Sequence, residues 1–151
     1  VAKSGYSTQT EAAVALAAAT AKTILAVIAP AQFGIDLQGF DISFDGVTAS
    51  AVPVLVELVK YTTDGTGTTT TVDQVYGRAI TAGFVAKANY SADPTGATPL
   101  REFLVDPNKG LFSFDYPLGA TPDAAVSELI GIRCTAPAVV NVRASMRFER
   151  T

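Results

Sequence analysis

The residue types that usually do chemistry are sparse in this chain, and the missing ones decide most. Its 151 residues include no histidine. That removes the commonest general base, the commonest neutral metal ligand and the usual pH switch. A Ser-His-Asp arrangement is therefore impossible. Lys3 and Ser4 are adjacent, and Lys22 and Lys60 fall on expected strands, but no spacing supports a Ser–Lys pair. Asp36, Asp41 and Asp45 lie on one segment, with Asp41 and Asp45 on one face. Four residues along a strand span about 13 Å, too far for the paired carboxyls of a glycosidase. Their ordinary role is a solvated strand face that ends in the Asp45-Gly46 turn. Asp106-x-Asn108 opens like a calcium loop, but Gly110 comes one residue early, no glutamate holds the twelfth place, and Pro107 intrudes. Asp64-Gly65-Thr66-Gly67-Thr68 lacks the lysine and following helix of a phosphate loop. The single cysteine, Cys134, sits in an apolar run and reads as a small buried hydrophobe. No enzyme activity, metal or cofactor is expected.

Binding remains. Net charge is −3 with both signs interspersed, so no basic block faces nucleic acid or anionic lipid. The apolar part of residues 12–29 is mostly alanine and is interrupted by Thr20, Lys22 and Thr23, which excludes a spanning helix and a signal segment from the expectation. Tyr61, Tyr76, Tyr90 and Tyr116 fall in or beside expected strands. They suit either a sugar-stacking platform or a core with its hydroxyls at the rim. Arg133, Arg143 and Arg147 lie on the last two expected strands, and Arg143 and Arg147 share a polar face. A solvated face is the plain reading; arginine is also enriched in desolvated protein contacts. A chain 48% hydrophobic and 17% charged has few charges to cover a monomer's exterior, which favours an oligomer or a bound state. Tyr6, within the polar first ten residues, joins the three arginines as a candidate interface residue.

Two-residue alternation sets the elements that carry these residues. Val140, Val142, Ala144, Met146 and Phe148 alternate with Asn141, Arg143, Ser145, Arg147 and Glu149. Phe40, Ile42 and Phe44 alternate with Asp41, Ser43 and Asp45. Residues 51–62 are apolar on both faces and suit a covered central strand, with Pro53 near its start. Further strands are expected near 12–18, 23–29, 73–80, 84–92, 100–106, 111–116 and 125–135. A short helix over 11–22, capped by Thr8 and Glu11, competes with the first of these. Residues 62–73 read as an exposed mobile loop. Asp106 to Gly110 reads as the turn of a hairpin between 100–106 and 111–116. The fold class is an all-β, antiparallel sandwich of about 8–9 strands, jelly-roll-like or immunoglobulin-like in strand order. Residues 1–10 are expected to be a weakly structured arm that orders on a neighbouring subunit, and 11–151 a single domain.

The runs TAKTILAVIAP (20–30), FGIDLQGFDISFDGVTASAVPVLVEL (33–58), QVYGRAITAGF (74–84), REFLVDPNKGLFSFDYPLG (101–119) and APAVVNVRASMRFER (136–150) resemble minor capsid, or head-decoration (cement), proteins of tailed phages. The resemblance covers most of the chain beyond residue 10. It implies a compact β-sandwich or jelly roll, usually trimeric, on the outside of an icosahedral capsid at three-fold positions, clamping major capsid proteins. It carries over no catalytic residue. The alternative is a phage adhesin or carbohydrate-binding module, which would need an exposed tyrosine platform with carboxylates nearby.

Overall fold

The last strand, β13 (Val140–Arg150), organises one half of the molecule. In this computed structural model, which describes residues 4–45, 52–79 and 83–151, its alternating set Val140, Val142, Ala144, Met146 and Phe148 is buried. β4 (Ile35–Asp45) runs antiparallel beside it, from Asn141 opposite Asp45 to Arg150 opposite Ile35. Leu37, Phe40 and Ile42 turn inward from β4 and are fully buried. β1 (Gly5–Gln9) and β2 (Val14–Leu16) pair with the other edge of β13. β7 (Asp73–Tyr76) extends the sheet beyond β1; β10 (Phe112–Asp115) and β11 (Asp123–Ala124) pair with β4. A second sheet holds β3 (Ala21–Ile28), β5 (Val54–Tyr61), β6 (Thr66–Thr70), β8 (Val85–Ala92), β9 (Thr98–Val105) and β12 (Leu129–Thr135), in the order β6-β8-β3-β12-β5-β9.

The architecture is all-β, as expected, with two antiparallel sheets packed as a sandwich. Eight of the strands, β1, β3, β4, β5, β9, β10, β12 and β13, follow the jelly-roll order. Numbered along the chain, they read 6-3-8-1 in one sheet and 2-7-4-5 in the other. The excess over the expected 8–9 comes from two short strands, β2 and β11, and an insert. The insert, β6–β8, widens the sandwich beyond β1 and β3.

Three expectations need correcting, and the helix that competed with a strand over 11–22 does not form. The first ten residues are not a loose arm throughout: Tyr6, Thr8 and Thr10 alternate inward, and Gly5–Gln9 is a strand held between β13 and β7. Thr8 Oγ1 lies 2.8 Å from Thr70 Oγ1 inside the sandwich. Residues 62–73 are not wholly loop, because β-branched Thr66–Thr70 forms an edge strand on β8. The 100–106/111–116 pair is not a hairpin. The turn forms, with Asn108 N donating to Asp106 Oδ1 (2.9 Å) and Gly110 at φ +84°, but β9 joins β5 while β10 joins β4 in the opposite sheet. Aromatics on both segments prefer to meet across the core, where the Phe103 and Phe112 rings stack at 4.7 Å. Residues 11–22 hold no helix; Val14–Leu16 and the start of β3 are extended. The Asp45-Gly46 turn, the start of the 51–62 strand and the end of the 73–80 strand fall at least partly outside the described residues.

Apolar burial on both faces explains β5. Inward, Val54, Val56 and Leu58 join the main core; outward, Val59 and Tyr61 pack with Ala26, Tyr90 and Leu129 in a second, smaller cluster. Two loops are anchored to that outer face. Thr63 and Thr95 bridge them, and Asp64 accepts from Tyr90 OH (3.0 Å) and Lys87 Nζ (2.6 Å). Tyr6 packs edge-on to Phe84 and stacks on Phe148, with centroids at 5.4 and 5.9 Å. Tyr6→Ala should therefore cost about 3–5 kcal/mol of unfolding free energy in urea titration. Leu118→Ser, at a side chain 91% exposed, should change it by less than about 0.5 kcal/mol.

Candidate interaction surfaces

The outer face of the seven-stranded sheet is built by the polar half of the β13 and β4 alternation. Arg147 lies at its centre. It donates to Asp41 Oδ2 at 2.6 Å and to Asp115 Oδ1, while Ser145 (3.1 Å) and Ser113 also donate to Asp41. Burial alone would raise the Asp41 carboxyl. The hydrogen bonds from Ser113, Arg147 and Ser145, with the Arg147 charge, outweigh it and hold the group below its ordinary 3.8. Asp41 and Asp45 have separate partners, as their spacing along the strand requires. Asp45 accepts from Asn141 Nδ2 at 3.0 Å.

The sequence-derived candidates fall in different places. Tyr6 is 5% exposed and belongs to the core, not to a free arm. Arg133 lies on the other sheet, where its Nε and Nη2 grip Glu57 at 3.2 and 3.0 Å. This is a bidentate, half-buried pair that fastens β12 to β5. Arg143 and Arg147 share one face, as the alternation requires. Arg147 is committed to its carboxylates, whereas the exposed Arg143 donates one long bond, 3.4 Å, to Glu11 O. Cys134 is fully buried, and burial pushes its thiol up, away from reactivity. Tyr61 and Tyr90 are buried. Tyr76 is half exposed and donates its hydroxyl to Glu149 Oε1 at 2.5 Å, which with burial pushes the phenol up to about 12.

One surface was missed. β9 and β10 are edge strands of opposite sheets at the same end of the sandwich. Arg101 sits 4.2 Å over the Phe114 ring and closes the seam between them. Leu100, Leu104, Leu111 and Leu118, on or beside these strands, are 41%, 66%, 66% and 91% exposed. The signal was present as apolar residues of both parities in FLV and LFSFDYPL. The hairpin reading hid it, because paired strands would have left no such edges.

No protein-family model and no curated protein sequence matches the chain. Solved structures similar to it include capsid proteins of infectious bursal disease virus. The crystal structure of the viral particle matches 96% of this chain and 38% of its own at 13% identity, with a TM-score of 0.26. The VP2 subviral particle matches 96% and 41%, again at 13% identity and a TM-score of 0.26. The chain thus spans about two fifths of the proteins it matches.

Two outcomes follow from the charge pairs. Asp41 has a folded pKa below its unfolded one, so its stabilisation is complete above pH 3.8 and is lost as pH falls through the folded value. The stability gap between wild type and Asp41→Asn, measured by urea titration, should be largest near neutrality and close below pH 3.8. Arg133→Ala should cost about 1–3 kcal/mol by stranding Glu57. Arg143→Ala should cost less than about 0.5 kcal/mol. Equal costs in thermal melts would contradict this division of roles.

Proposed function

We propose that the protein is a non-enzymatic structural component of a tailed-phage virion: a decoration, or cement, protein that binds the outer surface of the capsid. In this reading it sits as a homotrimer at three-fold positions, contacts the major capsid protein and stabilises the shell. The observation that carries the reading is the exposed leucine edge at β9 and β10 on an otherwise well-packed jelly roll. A surface of this kind loses free energy when another protein covers it, at roughly 25 cal/mol per Å² of apolar area. The resemblance of residues 20–30, 33–58, 74–84, 101–119 and 136–150 to head-decoration proteins supplies the partner. A ligand that binds only the assembled lattice stabilises it by mass action, which is the physical content of cementing.

Sedimentation tests the reading. Wild-type protein should run as three chains per particle and should pellet with capsids that lack it. The double variant Leu104→Arg/Leu111→Arg should run as a monomer and lose capsid binding at least tenfold, while its circular dichroism stays that of the folded β-sandwich. A wild-type monomer that never pellets with capsids would contradict the reading.

A further inference from the structure

A second site lies on the outer face of the seven-stranded sheet; it reaches Asp115 at the end of β10 but includes none of the exposed leucines. A cleft of about 280 Å³ opens between β7, β1, β13, β4 and the end of β10, lined by Gln38, Val75, Tyr76, Asp115, Tyr116 and Arg147. We propose that this cleft binds a neutral saccharide, taking one pyranose ring against Tyr76.

The backbone is specialised there. The two register shifts that the described residues show in this sheet both fall at the cleft. Between β1 and β7, Gly5 pairs with Tyr76 and Tyr6 with Gln74, which leaves Val75 as the extra residue. Between β13 and β4, Arg147 pairs with Gly39 and Phe148 with Leu37, which leaves Gln38. Bulges bend a strand and re-aim its side chains, and both extra residues line the cleft.

The aromatic platform is pre-set. Tyr76 lies across Gly5, where any Cβ would overlap its ring. Its hydroxyl is tied to Glu149, and half of its surface stays open. A ring fixed before binding costs little entropy on binding. The polar groups are planar and available. The Asp115 side chain is 74% exposed, with only Oδ1 engaged by Arg147. The half-buried Gln38 amide makes no side-chain hydrogen bond among the described residues. An amide that donates and accepts, beside a carboxylate that accepts, matches neighbouring ring hydroxyls. The apolar C–H face of the same ring matches the tyrosine. Few polar groups over an aromatic floor are the usual make-up of a small-molecule site. Charge selects within the class. Arg147, the one cation among the lining residues, is already neutralised by Asp41 and Asp115; Asp36 and Glu149 bear on Tyr76, and outside the lining Arg101 bears on Tyr116. Acidic sugars are thereby disfavoured.

The test is a titration of the full-length protein with neutral hexose and N-acetylhexosamine oligosaccharides, followed by calorimetry and amide chemical shifts. Sialylated and uronic glycans and a proline-rich peptide form the comparison arms. Saturable binding of a neutral saccharide is expected, with shifts at Gln38, Tyr76 and Asp115. Tyr76→Ala should weaken it at least tenfold. Gln38→Ala should also weaken it; its amide holds no other group, so the fold is left intact. Three results would overturn the proposal: no neutral saccharide binds, an acidic glycan or the peptide binds instead, or Gln38→Ala and Tyr76→Ala bind as wild type. None of these bears on capsid binding, which uses the leucine edge.

Discussion

The pairing of β4 with β13 is the constraint on which the rest depends. These are the two longest strands, eleven residues each, and they run side by side almost end to end. Their side chains alternate, so one register choice assigns every residue to the core or to the outer face. A slip by one residue would drive Arg143, Ser145 and Arg147 inward and expose Val142, Ala144 and Met146. β1 and β2 are templated on the free side of β13, and β10 and β11 on that of β4. The same register places Arg147 next to Asp41 and opens the bulge at Gln38.

That constraint also separates what was legible in the sequence from what was not. β4 and β13 announced themselves because one face is buried and the other wet. β5 did so because both of its faces are buried, and Pro53 stands just before it, where no ladder donor is missed. The Asp106–Gly110 turn was legible as local chemistry, but turn chemistry does not say which sheet the chain enters next. Only packing of Phe103 on Phe112 across the sandwich decides that. β1 and β6 were hidden because threonine and serine carry little hydrophobic signal, although threonine is a good strand former.

The candidate surfaces divide in the same way. Alternation placed Arg143 and Arg147 on one polar face. It could not show that Asp41, 106 positions away, would claim Arg147, or that Glu57 would claim Arg133. Arginines that resemble interface residues in the sequence are thus partly spent inside the molecule, holding strands to one another. The apolar edge at β9 and β10 stays exposed, and one misread hairpin concealed it. The cleft at Tyr76 was beyond sequence reading altogether, since it depends on two bulges and on Gly5 lying under an aromatic ring.

If the protein decorates a shell as proposed, the question is which of its faces the shell covers. Electron cryomicroscopy of capsids lacking the protein, imaged after incubation with it at micromolar concentration, tests this most directly. The account predicts ordered density at the three-fold positions, with the β9–β10 edge in the contact. Bare three-fold positions at that concentration would contradict it.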